Sequence, residues 1–111
     1  MNRKPFESDW KVYRERIGDW PDRHLARKNA EILAILTDEA RAPTEQFWHA
    51  MEKMEKEARI VDTSFGRFAR SQMEFNLVKM YGQGIVDDAD LEEFSQDLRE
   101  RVRFATGGFE E

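Results

Sequence analysis

Apolar side chains recur along this chain at alternating spacings of three and four, the mark of helices with one buried face. The first helix is expected from Ser8, whose side-chain oxygen suits an N-cap. It carries Trp10, Tyr13 and Ile17 on one face. Gly18 and Pro21 end it, and Pro21 also suits the first turn of a second helix running to about Ala40. That helix is expected to turn Leu25, Asn29, Ile32, Leu33 and Leu36 inward. Pro43 repeats the device for a third helix, with Glu45 in its first turn and a narrow stripe of Phe47, Met51, Met54, Ala58 and Val61. Its opposite surface, with Glu52–Lys56 and Lys53–Glu57 four residues apart, reads as solvated.

The stretch Phe65–Tyr81 reads as the central helix. One stripe holds Ala69, Met73, Leu77 and Met80, and a second holds Phe68 and Phe75. Phe65 and the polar Gln72, Asn76 and Lys79 fall between them. Together they span roughly 200° of surface, more than one neighbour can cover. Lys79, if enclosed, would need a carboxylate partner. Gly82 and Gly84 can supply a left-handed C-terminal cap. Asp87 then reads as the N-cap of a last helix, with Val86 and Leu91 at hydrophobic-staple spacing. Leu91, Phe94, Leu98, Val102 and Ala105 line its inner side, and Thr106–Gly108 stops it. The expected fold is all-α: a compact bundle of four to five short helices with a C-terminal helical hairpin and no sheet. Residues 1–7 read as a flexible arm, 8–105 as a single helical domain and 106–111 as a flexible tail.

The run LVKMYGQGIVDDADLEEF resembles the short C-terminal helical hairpins that bacteria append to many proteins, with Gly84, Ile85, Val86, Asp87, Asp88 and Asp90 as the matching positions before Leu91. It departs from them after Leu91, where those hairpins carry lysines and this chain has Glu92, Glu93 and Asp97. The resemblance implies association rather than catalysis.

Composition narrows the function more than it names one. The 111 residues include no cysteine, so no disulfide framework or thiolate metal site is available. No apolar run reaches the roughly 18 residues of a membrane span, and no apolar segment follows the basic N-terminus as a secretory signal requires. A cytoplasmic protein that does not bind membrane is expected. Net charge is −5, but residues 1–28 hold eight Lys or Arg against five Asp or Glu.

Reactive constellations are missing from the pattern. Di-iron bundles need Glu three residues before His, whereas Pro21 precedes His24 and Gln46 precedes His49 at that spacing. Both histidines read as surface residues. Neither a Gly-x-Ser-x-Gly elbow nor a phosphate-cradling glycine loop occurs. The expectation is a non-enzymatic protein with no cofactor, no metal and no small-molecule substrate.

Two binding readings remain. Nucleic acid is the alternative: a helix-turn-helix made of the third helix, the IVDTS turn and a reading helix from Ser64 would offer Arg67, Arg70, Ser71 and Gln72. The basic first quarter would add Lys11, Arg14, Arg23 and Arg27, interleaved with aromatic rings. The leading reading is a helical protein–protein interaction module, regulatory, adaptor or accessory in kind and of bacterial or phage type, that associates with a protein partner and with itself. Three Trp, eight Phe and five Met are more large apolar groups than five short helices readily enclose. The candidate contact residues are Phe68 and Phe75 with Lys79, or the face of Trp10, Tyr13 and Trp20.

Overall fold

A computed structural model describes residues 4–107, with side chains from residue 7 onward. They form six α-helices and no strand: α1 (Lys4–Arg16), α2 (Asp19–Leu36), α3 (Pro43–Ser64), α4 (Met73–Gly82), α5 (Asp88–Leu91) and α6 (Gln96–Gly107), with a 3-10 turn over Arg70–Gln72 before α4. Residues 1–3 and 108–111, which hold part of the expected arm and most of the expected tail, lie outside the described residues.

Two parts are built from these helices. The first is a closed body in which α1, the start of α2, and α4 to α6 enclose Tyr13, Trp20, Leu77, Met80, Leu91 and Val102, each almost fully removed from water. The second is the α2–α3 hairpin, which projects from that body. Its longer arm, at 22 residues, measures roughly 33 Å. The projection explains the elongated outline, 61 × 33 × 22 Å, and a radius of gyration of 17.0 Å. A compact chain of this length would have about 13 Å.

Local chemistry accounts for the helix ends. The Asp87 carboxylate accepts from the Asp90 backbone N–H at 2.9 Å, and Asp90 returns a bond to the Asp87 N–H at 2.8 Å, a reciprocal cap on α5. Gly84, at φ 76°, takes the left-handed conformation after α4 while Ile85 N–H bonds the Met80 carbonyl at 2.9 Å. At the start of α3 the Glu45 carboxylate accepts from the Ala42 N–H at 3.0 Å.

Several boundaries differ from the sequence reading. Ser8 lies inside α1, which starts at Lys4, and α2 ends at Leu36 rather than Ala40. The expected central helix is two elements. Ser64 closes α3, residues 65–69 are irregular, and α4 begins only at Met73. Gly66 makes the break possible, because a Cβ there would stand 2.5 Å from the Asn76 Oδ1. Asn76 in turn donates to the Arg67 carbonyl at 3.0 Å and to the Tyr13 hydroxyl at 3.2 Å. That close approach lets the chain reverse and lay α4 against the body. The last helix is also divided. Ser95 interrupts it by donating its N–H and its hydroxyl to the buried Asp9 carboxylate, both at 2.7 Å, and its oxygen caps α6 through the Leu98 N–H at 3.3 Å.

Candidate interaction surface

The hairpin joins its two helices along a polar seam. His24 and Glu57 are both buried there, with Nε2 3.0 Å from the carboxylate, and Lys28 approaches the other Glu57 oxygen at 3.9 Å. Further toward the tip, Lys53 holds Glu31 at 2.8 Å. Each supports the other's charged form: the Lys53 ammonium holds Glu31 below the usual carboxylate range, and Glu31 raises Lys53 in return. Ala50, Glu57 and Ser64 are the residues α3 buries, and Trp20, His24 and Ile32 those of α2.

These seam residues point about 80° away from the Phe47, Met51, Met54, Ala58 and Val61 stripe around α3. The same holds for Leu25, Asn29 and Leu36 on α2. The two apolar stripes therefore lie side by side on one broad face of the hairpin. A groove of about 400 Å³ runs between them, lined by Leu25, Lys28, Asn29 and Ile32 from one helix and Met54, Glu57, Ala58, Val61 and Asp62 from the other. Phe47 and Met54 are 51% and 49% exposed, Leu33 60% and Trp48 63%. The Phe47 and Trp48 rings meet edge-on at 4.9 Å near the tip. Among the described residues, five of the eight exposed large apolar side chains belong to this hairpin. The body lies on its other face, where Arg23 and Arg27 bond the α4–α5 turn.

The candidate contact residues read from the sequence fall elsewhere. Trp10, Tyr13 and Trp20 are core residues of the body, where Tyr13 meets Trp20 edge-on at 5.9 Å. Their ring surface is covered by the chain's own packing. Phe68 and Phe75 are exposed but share no helical stripe, since Phe68 sits in the irregular segment, its ring tilted against Trp10 at 5.2 Å. Lys79 has a carbonyl partner instead of a carboxylate. It donates to Thr63 O at 2.7 Å, in the last turn of α3, and lies 4.7 Å from the Phe75 ring centre. A cation there suits the orphan carbonyls of a helix C-terminus.

The basic candidates divide in the same way. No reading helix starts at Ser64, so the helix-turn-helix arrangement is absent from the described residues; Arg67 is in the irregular segment and Arg70 in the 3-10 turn. Arg70 pairs with Glu7 at 2.7 Å, Arg23 with Asp90 at 3.0 Å, and Arg27 with the Gly84 carbonyl at 3.0 Å. Arg14 lies over the Trp10 ring. Lys11 and Arg67 are exposed and make no side-chain ion pair among the described residues. Burial pushes the Asp90 carboxyl up, but the Arg23 guanidinium and the Asp87 hydrogen bonds outweigh it and leave Asp90 below the usual range.

Sequence reasoning placed His24 on the surface and Glu57 on a solvated face, and both are corrected here: they form the buried seam pair. The signal was the turn between Leu36 and Pro43. Residues equidistant from a hairpin's tip face each other, which brings His24 to the level of Glu57. Among the described residues no group of three His, Cys, Asp or Glu is placed to hold a metal ion, and no helix is long and apolar enough to cross a membrane. The chain matches no protein-family model, no curated protein and no solved structure.

Proposed function

We propose that this chain is a non-enzymatic, adaptor-like protein-binding module whose contact surface is the open face of the α2–α3 hairpin. The observation that carries the reading is the arrangement of the hairpin: the His24–Glu57 pair is buried in its seam beside Ile32 and Ala50, while apolar side chains of its two stripes stay open to water. An apolar stripe on each of two helices needs a further layer to cover it. A helix from a partner fits such a groove through anchors at three- and four-residue spacing. Exposed rings and methionines of this kind, Phe47, Trp48, Met51 and Met54, are the side chains that interface centres favour.

A photo-crosslinking residue in place of Phe47 tests the reading in cells, with the same residue in place of Glu100 on α6 as the control. A discrete protein adduct at Phe47 and none at Glu100 is expected. Equal trapping at both positions, or none at Phe47, would count against the hairpin as the contact surface.

A further inference from the structure

We infer that the occupant of the open hairpin face is a second copy of this chain, packed antiparallel about a two-fold axis passing by Asn29, so that two α2–α3 hairpins complete a four-helix bundle. The inference rests on the reading of that face as the contact surface and names what covers it.

The face matches itself. Leu25, Asn29, Ile32 and Leu36 follow spacings of four, three and four, and Phe47, Met51, Met54, Ala58 and Val61 follow four, three, four and three. This is heptad spacing, which lets one helix sit along another with side chains interleaved. Both stripes lie on one side of an antiparallel hairpin and contain no charged residue, and of the ions that line the groove between them, Lys28 and Glu57 already face each other at 3.9 Å while Asp62 stands at its end. Four helices in two layers then form the ordinary closed bundle that two helices cannot.

The only polar member of either stripe is Asn29, which is exposed. A carboxamide carries both donor and acceptor and so can satisfy an identical carboxamide across a two-fold axis. A single asparagine in an apolar seam fixes register in this way. With the axis there, Leu25 of one copy falls opposite Leu33 of the other. The register on α3 follows from the seam. The seam pairs His24–Glu57, Lys53–Glu31 and Lys28–Glu57 set Asn29 level with the stretch from residue 52 to residue 56, around Met54. Met54 therefore lies near the axis on α3, where the two copies come closest.

Size and access agree with a dimer. The stripe from Phe47 to Val61 is roughly 21 Å long and the hairpin about 20 Å wide. Two such faces bury on the order of 1,000 Å², the lower limit of a specific interface, which implies micromolar self-association. The body lies on the opposite face of each hairpin, where Arg23 and Arg27 reach the α4–α5 turn, and does not stand in the approach path.

The test is sedimentation velocity of the full chain from roughly 1 to 200 µM, the range a small interface demands. The mass should rise with concentration from 13.2 kDa toward twice that value. Met54→Glu, at a half-exposed site that the monomer's fold does not need, should keep its helicity by circular dichroism and weaken the dimer at least about 100-fold. Because the chain has no cysteine, Asn29→Cys gives one thiol per copy and should form a disulfide-linked dimer on mild oxidation. A monomer across the whole range overturns the second copy; if the Phe47 crosslinker still traps another protein, the contact-surface reading survives. A dimer indifferent to Met54→Glu also overturns it. A dimer that Met54→Glu disrupts but Asn29→Cys cannot link overturns the antiparallel axis.

Discussion

The body and the hairpin use the same kinds of side chain in opposite ways. In the body, a core of apolar side chains is closed off, with Leu77, Met80, Ile85, Leu91 and Val102 showing no exposed surface, while Phe68, Phe75 and Phe104 stand at its outside. In the hairpin, the seam buries His24 and Glu57 beside Ile32 and Ala50, with Lys28, Glu31 and Lys53 along its edge, while Leu33, Leu36, Phe47, Trp48 and Met54 are exposed. The body is a finished core. The hairpin leaves apolar side chains of both its helices open to water. A helical stripe therefore reports that a surface will be covered, without reporting by which chain.

Substitutions separate the two regions, and the largest effect belongs to the body. Leu77→Ala removes the buried Cγ and both Cδ atoms at a fully enclosed site and should cost about 3–5 kcal/mol by urea denaturation. A loss under about 1 kcal/mol would mean that the body is not the rigid core described. In the seam, His24→Leu strands the buried Glu57 beside an ammonium 3.9 Å away and should cost about 3 kcal/mol. His24→Leu with Glu57→Leu should recover most of that loss, because an apolar pair replaces a polar one. If the double variant is as unstable as the single one, the pair does more than fill the seam.

Asp90→Asn comes next, at about 2 kcal/mol near neutral pH, since it weakens both the α5 cap and the bond to Arg23. The sign of its pH dependence follows from the depressed carboxyl. Its contribution is complete above the ordinary aspartate range, about pH 4, and disappears as pH falls through the lower folded value. The natural chain should thus lose more stability between neutral pH and pH 3 than Asp90→Asn does, as measured by urea midpoints. The smallest effect is Met54→Ala. At low micromolar concentration it should change monomer stability by less than about 0.5 kcal/mol, even though it removes a large apolar side chain.

Much of the fold was legible because helical period and end chemistry agree. Trp10 and Tyr13 on α1, Pro43 at the start of α3 and Asp87 before α5 all occupy the places their chemistry indicates. The break after Ser64 was hidden because Phe68 and Ala69 continue the three-and-four spacing by coincidence of number. The chain turns there for a tertiary reason, the fit of Gly66 against Asn76. The break at Ser95 also depends on a distant group, Asp9. The open apolar face of the hairpin was hidden for a related reason. Periodicity marked Phe47, Met51, Met54, Ala58 and Val61 as a covered stripe, but the seam with α2 took the polar side next to it. Local pattern gives the direction of a stripe around its own helix, and only packing decides which stripe faces which neighbour.

Hydrogen exchange read by mass spectrometry at two protein concentrations tests the central claim most directly. Burying the open face should slow exchange of α2 and α3 amides between residues 29 and 58 as concentration rises from about 1 to 200 µM, while α4 and α6 stay unchanged. Equal exchange of the hairpin at both concentrations, or slowing confined to the body, would contradict the hairpin face as the place where two copies meet.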